Sequence, residues 1–233
     1  MTESGMPGKV LSSNVEDYLK AIYELGESEV KTQALADALA VSPASVTGMI
    51  KKLSGLNLIQ YERYQGVSLT AAGRKIALET LRHHRLIETY LAEALGYAWH
   101  EVHDEAERLE HVISEAFEER IALALGNPTH DPHGDPIPGR DGSLPQSLGR
   151  PLTELEPGQR ASITRITNQD REVLEYLAAH HLIPGEEVTV RERAPFNGPV
   201  TVSRQGAHTA LAAELAAAIH AQVVEGAREE TLA

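Results

Sequence analysis

A segment rich in proline and glycine divides the chain and limits what it can fold into. Residues 126–158 hold seven of the twelve prolines and six of the eighteen glycines. Neither residue suits the interior of a helix or of a central strand, so this composition predicts a linker. The apolar residues before the segment recur at helical spacing, whereas those after it form short β-type runs. We therefore expect a helical N-terminal part joined to a strand-rich C-terminal part.

Length and composition narrow the class of protein. The chain has 233 residues, of which 42% are hydrophobic and 4% aromatic, which is enough for two or three domains with aliphatic cores. No stretch approaches the roughly 20 apolar residues of a membrane span, and Met1 to Leu11 lacks the pattern of a signal peptide. The absence of cysteine excludes disulfides, thiolate nucleophiles and sulfur-rich zinc sites. We expect a cytoplasmic protein that does not enter a membrane.

The first 75 residues have the pattern of three helices followed by a β-hairpin. Ser13, with Glu16 three residues later, is a capping-box signal for the first helix. The second helix fits Thr32–Leu39, and Ser42-Pro43 is a strong start signal for the third. Two strand-like runs then flank a turn at Tyr64-Gln65-Gly66. This order predicts a winged helix-turn-helix.

The third helix is the predicted DNA-reading element. Its first turns would lie nearest the base edges of the major groove and carry small residues: Ser42, Pro43, Ala44, Ser45, Thr47 and Gly48. These positions contain neither arginine nor asparagine, which could form two hydrogen bonds to one base. Discrimination between DNA sequences should therefore depend partly on DNA shape. Lys51, Lys52 and Arg63 are placed for phosphate contacts. The alternative is a three-helix packing unit with solvated lysines.

Charge is unevenly distributed along the chain. The net charge of −13 is unusual for a nucleic-acid binder. The stretch from Lys51 to Arg85, however, contains seven basic and only two acidic residues, whereas the stretch from Leu86 to Leu125 contains ten acidic residues and two arginines. The basic block suits phosphate contact, and the acidic block suits capture of a cation.

Two further helices carry a candidate metal site. Thr70 can cap a helix that ends near Leu95, and another is predicted from His103 to Leu125. On the second helix four potential ligands would share one face, namely His103, Glu107, Glu110 and His111. His84 and Glu88 repeat the four-residue spacing on the preceding helix. Carboxylates held so close need a compensating cation. Donors without sulfur favour Mn(II) or Fe(II), and we expect other divalent metals to substitute in vitro.

Other interpretations of these residues remain open. A solvated acidic face with incidental histidines would show the same spacing. A metallohydrolase is a rival class, but the chain has no His-Glu-x-x-His motif and its clustered glutamates are typical of ligands rather than of a general base. We therefore do not expect an enzyme. A winged-helix regulator whose DNA binding is independent of metal is the main alternative, and metal storage is a more distant one.

The C-terminal part has short strand-like runs on either side of one helix. The runs are Ala161–Ile166, Glu187–Arg191 and Val200–Val202, and the helix lies near Asp170–His180. They predict a small barrel within a mainly α protein. The domains expected are a winged helix at 1–75, a helical metal-binding and dimerisation domain at 76–126, a linker at 127–149 and the strand-rich domain at 150–233.

Several motifs resemble those of the diphtheria toxin repressor family of metal-dependent regulators. They lie in the first helix (residues 16–23), after the wing (69–73), in the metal helix (102–106 with Glu110-His111) and in the linker (133–138). Residues 192–200, with Gly185, resemble the ferrous-transport-A, SH3-like domain of longer members. The resemblance covers nearly the whole chain.

The resemblance implies two metal sites. The primary site would use Asp17, Glu107, Glu110 and His111. Iron-responsive relatives have Met and Cys in place of Asp17 and Glu107, whereas manganese-responsive relatives have Asp and Glu, so the resemblance favours Mn(II). The ancillary site would use His84, Glu88 and His103, completed in some members from the SH3-like domain, near Arg165 and Asn168 with Gln169 and Asp170 adjacent. Lys20 replaces a further acidic ligand of shorter manganese regulators.

Family resemblance also implies a homodimer on palindromic operator DNA, repressing metal-uptake genes when metal is plentiful. An apolar stripe is suited to the dimer contact or to core packing: Leu109, Val112, Ile113, Phe117 and Ile121. Metal would link Asp17 to the metal helix and so fix the DNA-reading domain. Two recognition helices could then meet half-sites roughly 34–36 Å apart.

Overall fold

The computed structural model describes residues 11–228, which form two compact units. The first contains residues 11–84, Arg108–Ser114 and Pro138–Ser143, and the second contains Arg85–Glu107, Glu115–Ile137 and residues 144–228. Most of the segment tested for a signal peptide, residues 1–10, lies outside the described part of the chain, as do the outer ends of the first and last predicted domains. No helix within residues 11–228 is long and apolar enough to cross a bilayer.

The first unit begins with three helices and a hairpin, in the predicted order. They are α1 (Ser13–Glu24), α2 (Thr32–Ala38), α3 (Pro43–Gly55), β1 (Ile59–Glu62) and β2 (Gly66–Leu69). The strands are antiparallel, with Ile59 opposite Leu69. Apolar residues at helical spacing on the three helices meet in one buried core, which includes Leu19, Ile22, Leu35, Val46 and Leu53. The N-terminal winged helix-turn-helix is therefore confirmed.

The predicted helix starts hold at α3 and at the long helix α4 (Ala71–Leu95). Ser42 accepts a hydrogen bond from the backbone N–H of Ser45, and Thr70 accepts one from Gly73. Gly73 is required for a separate reason, because a Cβ there would lie 2.0 Å from the carbonyl oxygen of Leu58. Close contact between α4 and the start of the wing depends on this glycine.

The capping-box interpretation of Ser13 and Glu16 is wrong. Helix α1 does begin at Ser13, but the N-cap residue is Ser12, and the Ser12 side chain makes no capping hydrogen bond. The carboxylate of Glu16 instead lies 2.6 Å from Nδ1 of His111. Local spacing assigns Glu16 to the helix N-terminus, but its carboxylate contacts the distant His111 instead.

The helix predicted from His103 to Leu125 is two helices, α5 (Val102–Leu109) and α6 (Glu115–Ala124). Glu110 and His111 therefore follow α5 in a turn and do not continue its face. Ion-pair contacts with side chains of α1 and α4 hold both residues there, which the helical spacing could not show. The proposed apolar stripe is interrupted as well: Ile121 is buried, whereas Val112 is 74% exposed.

A six-stranded antiparallel sheet dominates the second unit. Its order is β3 (Arg150–Pro151), β8 (Ile219–Arg228), β4 (Gln159–Ile166), β5 (Glu187–Arg193), β6 (Val200–Arg204) and β7 (Ala207–Leu211). A short 3₁₀ helix (Leu152–Glu154), α7 (Arg171–Ala179) and α8 (Ala213–Ala218) accompany the sheet. Inward residues of alternating strand positions build its core, including Ile163, Val190 and Val202. The sequence predicts β4, β5, β6 and α7, and it misses β3, the 3₁₀ helix, β7, α8 and β8.

Part of the segment predicted as a linker has a defined and buried structure. Residues 127–149 contain no helix or strand, but Asp131, His133, Asp135 and Ile137 are buried. An isolated bridge joins His130 to Pro136, and the backbone N–H of Ile166 donates to the carbonyl oxygen of His133. Residues 130–137 thus form a compact turn fixed to strand β4.

Candidate metal centre and DNA-reading surface

All nine residues expected to contact DNA are exposed. Ser42, Pro43, Ala44, Ser45, Thr47 and Gly48 occupy the start of α3, Lys51 and Lys52 its later turns, and Arg63 the hairpin. The opposite face of α3 buries Val46, Ile50 and Leu53 in the core. The helix therefore presents small and basic residues outward, as a recognition helix must.

Hydrogen bonds within α3 limit which hydroxyls can read bases. Oγ of Ser42 accepts from the Ser45 backbone and lies 3.0 Å from Oγ of Ser45. Oγ1 of Thr47 donates to the carbonyl oxygen of Pro43. Thr47 can consequently offer DNA an acceptor but not its proton, and Ser42 is partly used as a helix cap.

The tip of the hairpin carries an exposed aromatic residue that the sequence analysis does not assign. Tyr64 is 83% exposed, and the guanidinium carbon of Arg63 lies 5.0 Å from the centre of its ring. This distance is within the range of a cation–π contact, and the guanidinium group stays charged. The signal in the sequence was its position in the turn next to Arg63.

Three of the four proposed primary ligands converge in the first unit. One donor atom from each of Asp17, Glu110 and His111 lies within 4.8 Å of the others. Nε2 of His111 is 2.7 Å from Oδ1 of Asp17 and 3.3 Å from Oε1 of Glu110. These are oxygen and nitrogen donors without sulfur, and the Glu110 side chain is fully buried. The set fits a first-row divalent cation such as Mn(II) or Fe(II).

Glu110 is the most heavily engaged of these side chains. Nζ of Lys20 lies 2.7 Å from Oε1 and 2.9 Å from Oε2, and Nδ1 of His84 lies 2.5 Å from Oε2. Burial raises the pKa of Glu110, but the hydrogen bonds and charges of His84 and Lys20 outweigh it and lower the pKa below its ordinary value. Glu110 is therefore an ionised buried carboxylate, and it already has a positive partner.

His111 also has a neighbour that sequence reasoning missed. Its Nδ1 lies 2.6 Å from Oε2 of Glu16, while its Nε2 faces Asp17. Glu16 and Asp17 are consecutive residues of α1, so two carboxylates of one helix hold the two nitrogens of one imidazole. The acidic pair at the start of α1 was the only signal in the sequence.

The other proposed ligands belong to the second unit, apart from His84. Oε1 of Glu88 lies 3.3 Å from Nδ1 of His103, and Nε2 of His103 lies 3.8 Å from Oε1 of Glu107. Glu88 is buried, whereas the side chains of His103 and Glu107 are 44% and 39% exposed. His84 lies one turn before Glu88 on the continuous helix α4.

The residues expected near an additional ligand position have other partners. Arg165 lies 2.5 Å from Oδ1 of Asp135, and Gln169 donates to Oδ2 of the same carboxylate at 2.6 Å. Oδ1 of Asn168 accepts from the backbone N–H of Asp170. Asp135, a residue of the linker segment, is thus the acid that Arg165 and Gln169 bind.

Comparison with protein-family models assigns nearly the whole chain. Residues 10–67 match "Iron dependent repressor, N-terminal DNA binding domain", and residues 70–139 match "Iron dependent repressor, metal binding and dimerisation domain". Residues 150–223 match the "FeoA domain". The three matches follow the order of elements found in the structure.

Known proteins and solved structures agree with this assignment. The iron-dependent repressor IdeR of Mycobacterium tuberculosis H37Rv is 32% identical over 92% of this chain and 99% of its own. The diphtheria toxin repressor of Corynebacterium efficiens is 30% identical over 94% and 99%.

Two manganese regulators have similar structures. A "manganese-dependent transcriptional repressor complex with manganese" has a TM-score of 0.82 and 38% identity, covering 90% of this chain and all of that one. The manganese regulator SloR has a TM-score of 0.75 and 32% identity, covering 92% and 100%. Since the family models and full-length relatives agree, the chain belongs to the iron-dependent (diphtheria toxin) repressor family of metal-dependent, DNA-binding transcriptional repressors.

Proposed function

We propose that this chain is a manganese-responsive repressor that acts in the cytoplasm as a homodimer on palindromic operator DNA. It would repress metal-uptake genes when Mn(II) is plentiful. The observation that carries the proposal is the convergence of Asp17, Glu110 and His111, from two separate stretches of sequence, without a sulfur donor. No catalytic role is needed to explain these residues.

The choice of manganese rests on donor chemistry. Asp17 and Glu107 supply carboxylate oxygen at the two positions where the family resemblance places Met and Cys in iron-responsive members. Hard carboxylate ligands suit Mn(II), whereas thiolate and thioether ligands suit softer ions. When bound, the cation would neutralise the carboxylates and tie their donor atoms to one point. Fe(II) is the second candidate, because oxygen and imidazole donors also bind it.

Helix α1 connects the metal ligands to the DNA-reading helix. Asp17 lies on α1, while Leu19 and Ile22 of the same helix share the first-unit core with Val46 and Leu53 of α3. Cores are close-packed, so an element anchored at one end carries its packing partners with it. Fixing Asp17 against the turn of Glu110 and His111 would thus fix α3 as well, shifting the population towards a DNA-binding arrangement.

The dimer and the ancillary site complete the proposal. The match of residues 70–139 to a dimerisation domain supports a homodimer, and α6 leaves the apolar side chains of Phe117 and Leu123 exposed at 47% and 63%. The pair Glu88 and His103, with His84 one turn away on α4, would form the ancillary metal site. Glu107 would complete the primary set.

A second candidate is a repressor whose DNA binding is independent of metal. The ammonium group of Lys20 already neutralises Glu110, and His111 already joins the turn after α5 to Asp17. These contacts would hold α1 in place without a cation.

Selection from a random pool of duplex DNA distinguishes the two candidates. Protein stripped with a chelator is compared with the same protein in Mn(II), and the bound DNA is then titrated. The manganese-responsive repressor recovers a palindromic sequence only with Mn(II), and Glu110→Gln loses that response. Recovery of the same sequence in chelator would favour the second candidate.

A further inference from the structure

A second group of metal-type donors lies in the second unit and includes two residues of the linker segment. One donor atom from each of Glu88, Asp131 and His133 lies within 4.8 Å of the others. All three residues are buried, with exposed fractions of 1%, 7% and 0%. Two donors bound to one first-row cation are at most about 4.4 Å apart, so only a small inward movement would be needed.

Hydrogen bonding prepares the imidazole of His133 to be a ligand. Its Nε2 lies 2.8 Å from the carbonyl oxygen of Trp99, which can only accept, so Nε2 carries the proton. Nδ1 therefore has a free lone pair. It is buried, has no hydrogen-bond partner among the described residues, and lies 3.9 Å from Oε2 of Glu88. Metal-binding histidines typically donate the other ring N–H to a carbonyl or carboxylate in this way.

The backbone holds His133 and Asp131 in position. Oδ1 of Asp131 accepts from the backbone N–H groups of His133 and Asp135, both at 2.9 Å. Gly134 has φ +88°, and a Cβ there would lie 2.0 Å from the carbonyl oxygen of Thr164. Only glycine allows this turn to lie so close to strand β4, and the approach fixes the two side chains.

Glu88 lies between two histidines. Its Oε1 faces Nδ1 of His103 at 3.3 Å, and its Oε2 faces Nδ1 of His133 at 3.9 Å. One carboxylate can thus serve two separate donor groups. The group that contains His103 is part of the ancillary site proposed above, and the group that contains His133 shares only Glu88 with it.

The charges around the group favour a cation. Arg165 and Gln169 bind Asp135, and Arg85 lies 3.7 Å from Oδ2 of Asp131 and 3.9 Å from Asp135. The buried carboxylates of Asp131 and Asp135 thus share two guanidinium groups, and a divalent cation bound by Glu88 and Asp131 would add compensating charge.

We propose that Oε2 of Glu88, a carboxylate oxygen of Asp131 and Nδ1 of His133 bind a divalent first-row metal ion. Two oxygen donors and one nitrogen donor suit Mn(II), Fe(II) or Zn(II). By this means metal binding would fasten the linker segment to helix α4. The inference concerns occupancy of a site and does not depend on DNA binding.

Metal counting on the full chain tests the site. Protein stripped with a chelator is dialysed against Mn(II), and separately against Zn(II), and bound metal is measured by mass spectrometry. Asp131→Asn keeps an oxygen for the two backbone N–H groups but loses the charge, and His133→Phe removes the imidazole. Each should bind about one metal equivalent fewer than the parent protein. Asp135→Asn, the matched control for a neighbouring buried carboxylate, should bind as many as the parent.

Shared use of Glu88 requires a second comparison. His103→Gln should still bind metal at the site formed by Glu88, Asp131 and His133. The double variant His103→Gln with His133→Phe should bind about one metal equivalent fewer than His103→Gln alone. Full occupancy in both Asp131→Asn and His133→Phe would overturn the proposal, as would an equal loss in Asp135→Asn. Circular dichroism checks folding, and if His133→Phe does not fold, Asp131→Asn decides. Loss of metal-dependent DNA binding alone would bear on the proposed function and not on this site.

Discussion

The ammonium group of Lys20 binds both carboxylate oxygens of Glu110, at 2.7 and 2.9 Å. Both side chains are almost completely buried, and Glu110 is one of the three residues that converge on the proposed primary metal site. The charged side chain of Lys20 thus binds the carboxylate that a metal ion would need as a ligand. Lys20 must release Glu110, at least in part, before Glu110 can become a ligand.

Replacing Lys20 with methionine should therefore strengthen metal binding. Breaking a buried ion pair leaves an uncompensated charge, which costs about 3–5 kcal/mol, so metal-free Lys20→Met should unfold at lower temperature. Mn(II) would replace the lost charge. We expect its affinity to rise about tenfold or more and the stabilisation by Mn(II) in thermal unfolding to increase.

The exposed Lys75 on α4 provides the control. Lys75→Met removes the same charge without a buried partner and should leave Mn(II) affinity and the unfolding temperature nearly unchanged. Unaltered or weaker Mn(II) binding in Lys20→Met would show that Lys20 does not compete with the metal.

The primary and ancillary metal sites should respond differently to substitution. Glu110→Gln should abolish Mn(II)-dependent DNA binding and leave a folded dimer, whereas His103→Gln should only weaken the response. His84→Ala is a less clean test of the ancillary site, because Nδ1 of His84 lies 2.5 Å from Glu110 and its loss disturbs the primary set too. DNA-binding titrations with dimer size measured in parallel would check this. Equal losses in Glu110→Gln and His103→Gln would indicate one coupled site.

Phosphate binding by α3 should appear in the salt dependence of DNA binding. Lys51→Ala or Lys52→Ala should weaken binding to all sequences and reduce the log–log salt slope by roughly 0.9 for each phosphate that is no longer neutralised. Arg120→Ala, an exposed charge outside the basic block, should leave the slope unchanged. Thr47→Val keeps the shape of the side chain but removes its acceptor, so it should change base preference without changing the slope. If the lysine variants kept the parental slope, the proposed docking of α3 would be wrong.

The first unit could be predicted well because its signals are local. Ser42 followed by proline marks the start of α3, and it does cap that helix. The spacing of Val46, Ile50 and Leu53 assigns the buried face, which leaves the small residues outward. Local spacing failed where a distant partner took over, as at Glu16, which binds His111 across 95 positions of sequence.

The metal ligands were harder to place because they depend on tertiary contacts. Helical spacing groups Glu110 and His111 with His103, yet the helix ends at Leu109 and both residues lie in the following turn. Composition indicates a linker around Asp131 and His133, but the turn they form is buried against strand β4. Sequence spacing cannot show which loop a fold buries.

Metal selectivity should depend on Asp17 and Glu107. The double change Asp17→Met with Glu107→Cys replaces carboxylate oxygen with sulfur and should shift activation of DNA binding towards Fe(II), Co(II) or Ni(II), away from Mn(II). Bare affinity is the wrong measure, because it rises towards copper for most ligand sets. Anaerobic DNA-binding titrations with each ion give the ranking. An unchanged ranking in the double variant would contradict a selective role for these residues.

The most direct test of the account is the affinity of the parent protein for its selected operator, measured by fluorescence anisotropy in chelator and then in Mn(II). If Asp17, Glu110 and His111 work as a metal-operated clamp on α1, Mn(II) should tighten binding by at least about a hundredfold, which corresponds to a coupling of about 2.7 kcal/mol. Glu110→Gln should show no such gain. Equal affinity of the parent protein in chelator and in Mn(II) would contradict the account.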